Sequence, residues 1–210
     1  MMKKIPRYLF WMLLAIFFYF TPGCCSKRYD SQYFNFTSAE RQHFAPYRLK
    51  DTIYFESESG DIDTIQVIKI NTEVHEGKSC FVSRAPQNSK GVVIKHLPVD
   101  HWHSMDVSPG ASGQPEYQTL ISLDKYPLRK KRDYSIGFRN FYARLSTLDT
   151  LLKTYQINGH TLTQCYKIAH SYPDRVQNPQ DIQWIYWTKQ YGLTAYTNKK
   201  NETWVIKKLP

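Results

Sequence analysis

Residues 148–169 read LDTLLKTYQINGHTLTQCYKIA, and this stretch decides the fold. Its centre is Asn158-Gly159, the pair that most strongly favours a two-residue β-hairpin turn, because both turn positions need a positive φ. The runs on either side are rich in β-branched and aromatic side chains, which fit a pleated surface. We therefore predict antiparallel strands over 148–156 and 162–169, joined by that turn.

The same pattern of short strands and turns extends in both directions along the chain. Turns are indicated at Glu58-Ser59-Gly60-Asp61 and at 198–201, and longer Pro-containing loops at 104–115 and 171–180. Near the start, Thr37-Ser38-Ala39-Glu40 matches a capping box and predicts a short helix that ends before Pro46. The other predicted strands are 52–57, 62–70, 79–83, 91–97, 116–123, 134–142, 182–188, 193–197 and 203–207.

The composition favours the same fold class. Aromatic residues make up 15% of the chain, with 16 Tyr and five Trp, and such side chains favour sheets over a helical bundle. Successive hairpins without a long amphipathic segment predict a mainly β protein: an antiparallel meander forming a strongly curved sheet or barrel, with one short N-terminal helix. Such a sheet either encloses an apolar cavity or fills with side chains, and the sequence leaves both open.

The N-terminus carries the features of an export signal. Lys3, Lys4 and Arg7 precede an apolar run at 8–20, and a short apolar core after a positive region defines such a signal. The run has 13 residues, whereas a transmembrane helix needs roughly 20. We predict a cleaved signal at 1–23, a tether at 24–36 and one β-rich domain at 37–210, because the remaining length suits a single core.

The apolar run is followed directly by Thr21-Pro22-Gly23-Cys24. This stretch resembles the lipobox of bacterial lipoproteins, although Thr21 and Pro22 depart from its commonest form. The resemblance implies a lipid on Cys24 that anchors the domain to a membrane, since each buried acyl methylene contributes about 0.8 kcal/mol. Cys25 is the alternative lipid site, and an ordinary secretory signal is the alternative interpretation.

Two further stretches carry a second resemblance. The first contains Pro46-Tyr47, Asp51-Thr52-Ile53-Tyr54-Phe55 and Gly60-Asp61, and the second contains Trp184-Ile185-Tyr186-Trp187 followed by Tyr191-Gly192-Leu193. They resemble small uncharacterised lipoproteins of the Bacteroidetes type, which implies an envelope location and transfers no site residues. In similar lipoproteins an Asp directly after the lipidated Cys retains the protein at the inner membrane. An acidic run close behind that Cys can send the protein to the cell surface. Cys25-Ser26-Lys27-Arg28 supplies neither, so we expect the outer membrane, with the domain facing the periplasm.

The chain is basic, with 28 Lys and Arg against 18 Asp and Glu and a formal net charge of +10. An exported protein meets anionic headgroups and polysaccharide, so we expect no nucleic-acid partner. Solubility alone is the alternative explanation of the charge. Arg129-Lys130-Lys131-Arg132 is predicted as a solvated turn, with contact to anionic headgroups as its functional alternative.

Recognisable catalytic motifs are missing from the sequence. It contains no Gly-x-Ser-x-Gly elbow and no Gly-rich phosphate loop. His101-Trp102-His103, close to Asp100, Asp106 and His96, has some metal-ligand character, but two imidazoles without a third ligand do not make a site. Exposed loop histidines are the simpler interpretation. We therefore predict no enzyme activity, no metal and no cofactor.

Cys80 and Cys165 each lie in a predicted strand. An oxidising envelope would permit a disulfide between them, and two small buried thiols are the alternative. Sequence spacing does not decide between the two.

The strand at 182–188 indicates a possible binding surface. Trp184 and Tyr186 alternate with Ile185 and Trp187, so the two pairs lie on opposite faces. We predict that Ile185 and Trp187 face the core, while Trp184 and Tyr186 carry polar tips suited to a wet groove or partner surface. We expect a binding module for an apolar or glycan ligand. The alternatives are an interaction subunit of an envelope complex and a hydrolase whose site the sequence does not reveal.

Overall fold

The computed structural model describes residues 35–75, 87–97, 117–146 and 153–207. The fold is mainly β with one short helix, which confirms the predicted class. The helix α1 spans Ser38–Gln42, and no helix in these ranges is long and apolar enough to cross a membrane. The strands are β1 Thr52–Ser57, β2 Ile62–His75, β3 Gln87–Leu97, β4 Gln118–Tyr126, β5 Lys131–Phe138, β6 Phe141–Leu145, β7 Lys153–Ile157, β8 His160–Ala169, β9 Ile182–Thr188, β10 Gly192–Asn198 and β11 Thr203–Ile206.

The eleven strands of the described residues belong to one antiparallel sheet, in the order β6-β5-β4-β3-β2-β1-β11-β10-β9-β8-β7. Strands β1–β6 form one meander and β7–β11 form another. The two meanders join where β1 pairs with β11, for example at Phe55 and Ile206. The first and last strands therefore lie in the middle of the sheet, and β6 and β7 form its edges. The sheet curls into a half-barrel.

One face of the sheet, here called the inner face, carries the core. Its fully buried side chains include Trp187, Phe138, Phe55 and Tyr196. The rings of Phe55, Phe138 and Tyr196 contact one another with centroid distances of 5.9, 5.4 and 4.9 Å. Such pairs contribute about 0.5–1.5 kcal/mol each beyond their buried area. In the described part of the chain, side chains thus occupy the space that an apolar ligand would need.

A buried carboxylate is satisfied within this core. The hydroxyl of Tyr196 donates to Asp63 Oδ2 at 2.6 Å, and Arg139 Nη2 lies 2.6 Å from Asp63 Oδ1. Burial, together with the negative charge of Asp63, raises the pKa of Tyr196. The three side chains form a polar brace that joins β2, the β5–β6 turn and β10.

Residues 37–51, here called the strap, pack on the inner face. The strap begins with the predicted capping box: the Thr37 amide donates to Glu40 Oε2 at 2.7 Å, and the Glu40 amide donates to Thr37 Oγ1 at 3.2 Å. Glu40 is buried and forms an ion pair with Lys125 on β4, with Oε2 and Nζ 3.0 Å apart. The helix ends at Gln42, before Pro46, as predicted.

The far end of the strap is fixed by Tyr47. Its ring lies 5.9 Å from the Trp187 ring, and its hydroxyl accepts a hydrogen bond from the Leu193 amide at 2.8 Å. Gly192 has φ +71° and contacts Tyr47 so closely that a Cβ would overlap the ring. Only glycine meets both requirements without strain.

The curl brings the β6 edge against the chain that leaves β8. The Ser171 amide donates to the Tyr142 carbonyl at 2.8 Å, and the Arg144 amide donates to Ser171 Oγ at 2.9 Å. The Ile182 amide donates to Asn140 Oδ1 at 3.1 Å. These bonds form a seam between the two meanders and satisfy backbone groups on an exposed edge strand.

The β7–β8 hairpin folds over the outer face, which is the face opposite the core. Asn158 and Gly159 have φ +49° and +75° and form the predicted tight turn. Gln164 also has a positive φ, +49°, and the β7–β8 register shifts nearby, so the hairpin bends. At its tip, Asn158 Nδ2 donates to the Thr203 carbonyl at 3.0 Å. The hairpin thereby buries a second apolar cluster that contains Ile157, Leu162, Cys165, Tyr186, Ala195 and Val205.

One predicted strand is wrong. The run 134–142 contains the end of β5, a turn and the start of β6. The turn is formed by Arg139 and Asn140, and Arg139 has φ +53°. Gln118 stabilises it, because its Oε1 accepts from the Arg139 amide at 2.6 Å and its Nε2 donates to the Arg139 carbonyl at 2.8 Å. The residues on either side of Arg139 and Asn140 in the sequence do not predict this turn.

Other boundaries differ less. β2 continues to His75, five residues beyond the predicted end. The predicted solvated turn at 129–132 is correct for Arg129, which ends the 3₁₀ turn Pro127–Arg129, and for Lys130, whereas Lys131 and Arg132 begin β5. All four side chains are exposed. The predicted strand 79–83, the loop 104–115 and the first part of the strand 148–156 lie outside the described residues.

Candidate functional site

The outer faces of the two halves of the sheet differ. The outer face of β9–β11 is covered by the β7–β8 hairpin. The outer face of β3–β6 instead carries a groove of about 300 Å³, lined by polar and small residues and two tyrosines. This groove is the candidate functional site.

The floor of the groove is a row of small residues on three adjacent strands. Gly91 pairs with Ser122, and Ser122 pairs with Ser135. Gly137 lies next along β5, where a Cβ would come within 2.8 Å of the Thr119 carbonyl oxygen. Large side chains at these positions would fill the groove, so its depth follows from residue size.

An acidic wall flanks the floor on one side. Asp124 lines the groove, and Asp133 lies directly across from it on β5. Burial raises the pKa of Asp124, and the charge of Asp133 adds to this although Gln87 donates a hydrogen bond to Asp124 at 3.0 Å. A carboxylate that has lost its hydration is stabilised by hydrogen bonds that a ligand donates to it.

Basic side chains neutralise the second carboxylate of this wall. Arg144 Nη2 and Lys131 Nζ lie 2.7 and 3.1 Å from Asp133 Oδ2. Burial acts to raise the pKa of Asp133, but hydrogen bonds from Arg144 and Lys131 outweigh it, so the pKa lies below its ordinary value. Asp133 is therefore engaged in ion pairs, and Asp124 is the carboxylate that faces the groove.

Aromatic side chains flank the floor on the other side. Tyr142 on β6 and Tyr117 just before β4 both line the groove, and Tyr117 is 44% exposed. Tyr rings offer an apolar face together with a hydroxyl that donates and accepts hydrogen bonds. The groove thus combines a small polar floor with one acidic and one aromatic wall.

A second cleft of about 360 Å³ lies beside the hairpin tip, between Asn158, His160 and the β1–β11 pair. Its Glu56 is paired with Lys207 at 3.0 Å, and both side chains are largely exposed. None of its described lining residues is Phe, Tyr or Trp. It therefore lacks the aromatic surface that most small-molecule sites present.

The two faces of β9 are oriented as predicted, but the β7–β8 hairpin covers part of its outer face. Ile185 and Trp187 are fully buried in the core. Tyr186 is only 7% exposed, because the β7–β8 hairpin packs on it. Trp184 remains half-buried, and Lys167 Nζ lies 4.3 Å from its ring centroid. Trp184 is thus the member of the pair that solvent reaches, and its binding role stays a prediction.

The Cys165 side chain is buried in the second apolar cluster. Burial raises its pKa to about 12, so it is held as a protonated thiol. Cys80 lies outside the described residues, as do Cys24 and Cys25, so the disulfide and the lipid site stay predictions.

Of the histidines in the predicted cluster, His96 lies within the described residues. Its ring centroid lies 5.2 Å from that of Phe138. His101 and His103, with Asp100 and Asp106, lie outside the described residues. Within the described ranges no group of three His, Cys, Asp or Glu side chains could hold a metal ion.

The sequence did not predict the groove on the outer face of β3–β6. Ser122 and Ser135 occupy solvent-facing positions of predicted strands, where polar residues are ordinary, and Asp124 directly follows the predicted strand 116–123. The available signal was the unusually small size of Gly91, Ser122, Ser135 and Gly137 together, which becomes visible only once the strand register is known.

The fold and the groove define an antiparallel half-barrel protein with a polar groove on its outer face. No family model, no curated protein and no solved structure matches the chain.

Proposed function

We propose that the protein is a non-catalytic binding module, anchored by lipid on Cys24 in the cell envelope, and that its outer groove binds a glycan. The observation that carries this proposal is the groove on β3–β6, with its floor of Gly91, Ser122 and Ser135 between Asp124 and Tyr142. A pyranose ring has an apolar face and an edge of hydroxyls. The two walls of the groove offer the matching partners, an aromatic ring and a hydrogen-bond acceptor.

A polar ligand is favoured over an apolar one. Aromatic side chains such as Phe138 and Tyr196 occupy the inner face, where an apolar ligand would otherwise lie. The outer groove, by contrast, carries a carboxylate and several hydroxyl groups, which would lose water without compensation beneath an acyl chain. Its volume of about 300 Å³ is at the lower end for small-molecule sites and suits one or two sugar units.

Filling the groove tests this function. We expect Ser122→Leu to abolish binding of the full-length, detergent-purified protein to an array of neutral and acidic oligosaccharides, while its melting temperature stays near that of the wild type. Thr154→Leu, at an exposed position on the opposite edge strand, is the matched control and should bind normally. Equal binding by both variants, or no binding by the wild type, would contradict the proposal.

The acidic wall supplies a second test. Ligand hydroxyls bind the ionised form of Asp124 more strongly, so affinity should fall as the pH drops through the raised pKa of this residue. Asp124→Asn should weaken binding and remove that pH dependence. A pH dependence that survives in the variant would assign it to another group.

An interaction subunit of an envelope complex is the second candidate. It is favoured by the half-buried Trp184, which lies at the border of the covered outer face with Lys167 above its ring. Aromatic side chains of this kind often anchor protein interfaces. Chemical cross-linking in intact cells should then capture a partner in the wild type and lose it in Trp184→Ala.

A further inference from the structure

A stack of three side chains begins at the aromatic wall of the groove. The rings of Tyr142 and Tyr172 are nearly parallel, with an interplanar angle of 12° and centroids 6.0 Å apart. The guanidinium carbon of Arg175 lies 4.7 Å from the Tyr172 ring centroid. These distances place the guanidinium at most 10.7 Å from the Tyr142 ring, so both can contact one short oligosaccharide.

The stack is held in place by the seam between the two meanders. The Tyr172 amide donates to His170 Nδ1 at 2.9 Å, and the other ring nitrogen of His170 lies 3.0 Å from the Asn140 carbonyl oxygen. A carbonyl only accepts, so Nε2 carries the proton and Nδ1 accepts the Tyr172 bond. His170 is buried although Tyr172 is 46% exposed. Tyr172 therefore presents its exposed surface from a fixed backbone, which lowers the entropic cost of binding.

A notch of about 20 Å³ lies along this stack, lined by Tyr142, Tyr172, Arg175, His170 and Arg139. Arg139 is paired with the buried Asp63 at 2.6 Å, and His170 Nδ1 already accepts a hydrogen bond from the Tyr172 amide. Arg175 is exposed on the 3₁₀ turn Pro173–Arg175. Its guanidinium is thus an exposed positive group that a ligand extending from the groove past Tyr142 would meet.

The groove and the notch differ in charge. In the groove, Arg144 and Lys131 pair with Asp133, and Asp124 is the carboxylate that faces the ligand, so an acidic group is disfavoured beside Asp124. Arg175 lies beyond Tyr142 and Tyr172, where an anionic group would be attracted and could accept paired hydrogen bonds from the guanidinium. A ligand that is neutral at one end and acidic at the other would therefore bind in a single direction.

We infer that Tyr172 and Arg175 form a second subsite that recognises an acidic sugar, so the glycan carries a carboxylate one or two units beyond the neutral sugar in the groove. This inference rests on the proposed function of the groove. The carboxylate of a uronic acid lies in the notch beside the Arg175 guanidinium, while the neutral sugar contacts Tyr142 and Asp124.

Matched pairs of oligosaccharides test the subsite. The array contains neutral di- and trisaccharides and the same compounds with a uronic acid at one end, probed with full-length protein in detergent. The wild type should prefer the acidic member of at least one pair by about tenfold, the size expected of one charge-assisted contact. Arg175→Gln should lose that preference while still binding the neutral member, and Arg175→Lys should keep part of it.

The control is Arg129→Gln. Arg129 also ends a Pro-initiated 3₁₀ turn and is exposed, but it does not line the groove or the notch. It should behave as the wild type. Neutral binding that Ser122→Leu blocks, without any preference for acidic members, would overturn the subsite and leave the groove intact. A preference that Arg175→Gln retains would also overturn it, and absence of all binding would overturn both proposals.

Discussion

Replacing Lys125 with Met is expected to destabilise the protein strongly, because it leaves the Glu40 carboxylate buried without its closest cation. Both side chains are 3% exposed, and Glu40 Oε2 lies 3.0 Å from Lys125 Nζ. Lys125 also donates to the Asn35 carbonyl at 2.6 Å, so the change removes two contacts between the strap end of the chain and β4.

The expected loss is set by what remains around Glu40. Breaking a buried ion pair by removing one partner costs about 3–5 kcal/mol. Arg132 Nη1 still lies 3.4 Å from Glu40 Oε1, but its side chain is 43% exposed and replaces little of the lost interaction. We therefore expect about 3 kcal/mol, a large part of the roughly 5–15 kcal/mol by which domains are stable.

Urea unfolding followed by tryptophan fluorescence measures this loss, because Trp187 lies beneath the strap residue Tyr47. The double variant Glu40→Gln/Lys125→Met removes both charges and should recover part of the stability lost in Lys125→Met alone. A loss below about 1 kcal/mol in the single variant, or strictly additive losses in the double one, would refute this explanation of how the strap is held.

The same ion pair predicts the acid dependence of stability. Burial acts to raise the pKa of Glu40, but hydrogen bonds from Thr37 and Lys125 and the charge of Lys125 lower it overall. A carboxylate with a lowered folded-state pKa stabilises the fold above its unfolded pKa, and this contribution is lost as the pH falls through the folded value. Between neutral pH and pH 3, the wild type should therefore lose more stability than Glu40→Gln, and equal losses would contradict this.

Three further predictions test the fold and the anchor. Trp187→Ala should cost about 3–5 kcal/mol, the range for a buried Trp, and Trp184→Ala far less; a larger loss at Trp184 in thermal melts would invert the assignment of the faces. Gly192→Ala should cost about 2 kcal/mol or more, since φ is +71° and Tyr47 occupies the space, and urea unfolding measures it. Cys24→Ser should abolish fatty-acid labelling and release the protein from membranes or leave an uncleaved precursor; labelling that survives there and disappears in Cys25→Ser would place the lipid on Cys25.

Local patterns were enough to predict most of the sheet. The Asn158-Gly159 turn, the capping box of Thr37 and Glu40, and the strand Ile182–Thr188 all depend on residues close together in sequence. The alternation that places Ile185 and Trp187 in the core is equally local. These features are correct because each short segment carries its own signal of turn, cap or period.

Long-range packing explains what the sequence did not predict. The turn at Arg139 depends on Gln118, 21 residues earlier, and Tyr186 is buried by a hairpin that bends at Gln164. The groove requires Gly91, Ser122 and Ser135 to lie side by side on three strands. A register cannot be read from hydrophobic periodicity alone, so the candidate site emerged only from the structure.

Chemical-shift mapping would show directly where a glycan binds. Full-length ¹⁵N-labelled protein in detergent micelles would be titrated with the oligosaccharide that binds most tightly on the array. We expect the largest amide shifts at Gly91, Ser122, Ser135 and Gly137, with smaller ones at Tyr172 and Arg175. Shifts confined to the β7–β8 hairpin or to the inner face, or none at saturating ligand, would contradict a glycan site in the outer groove.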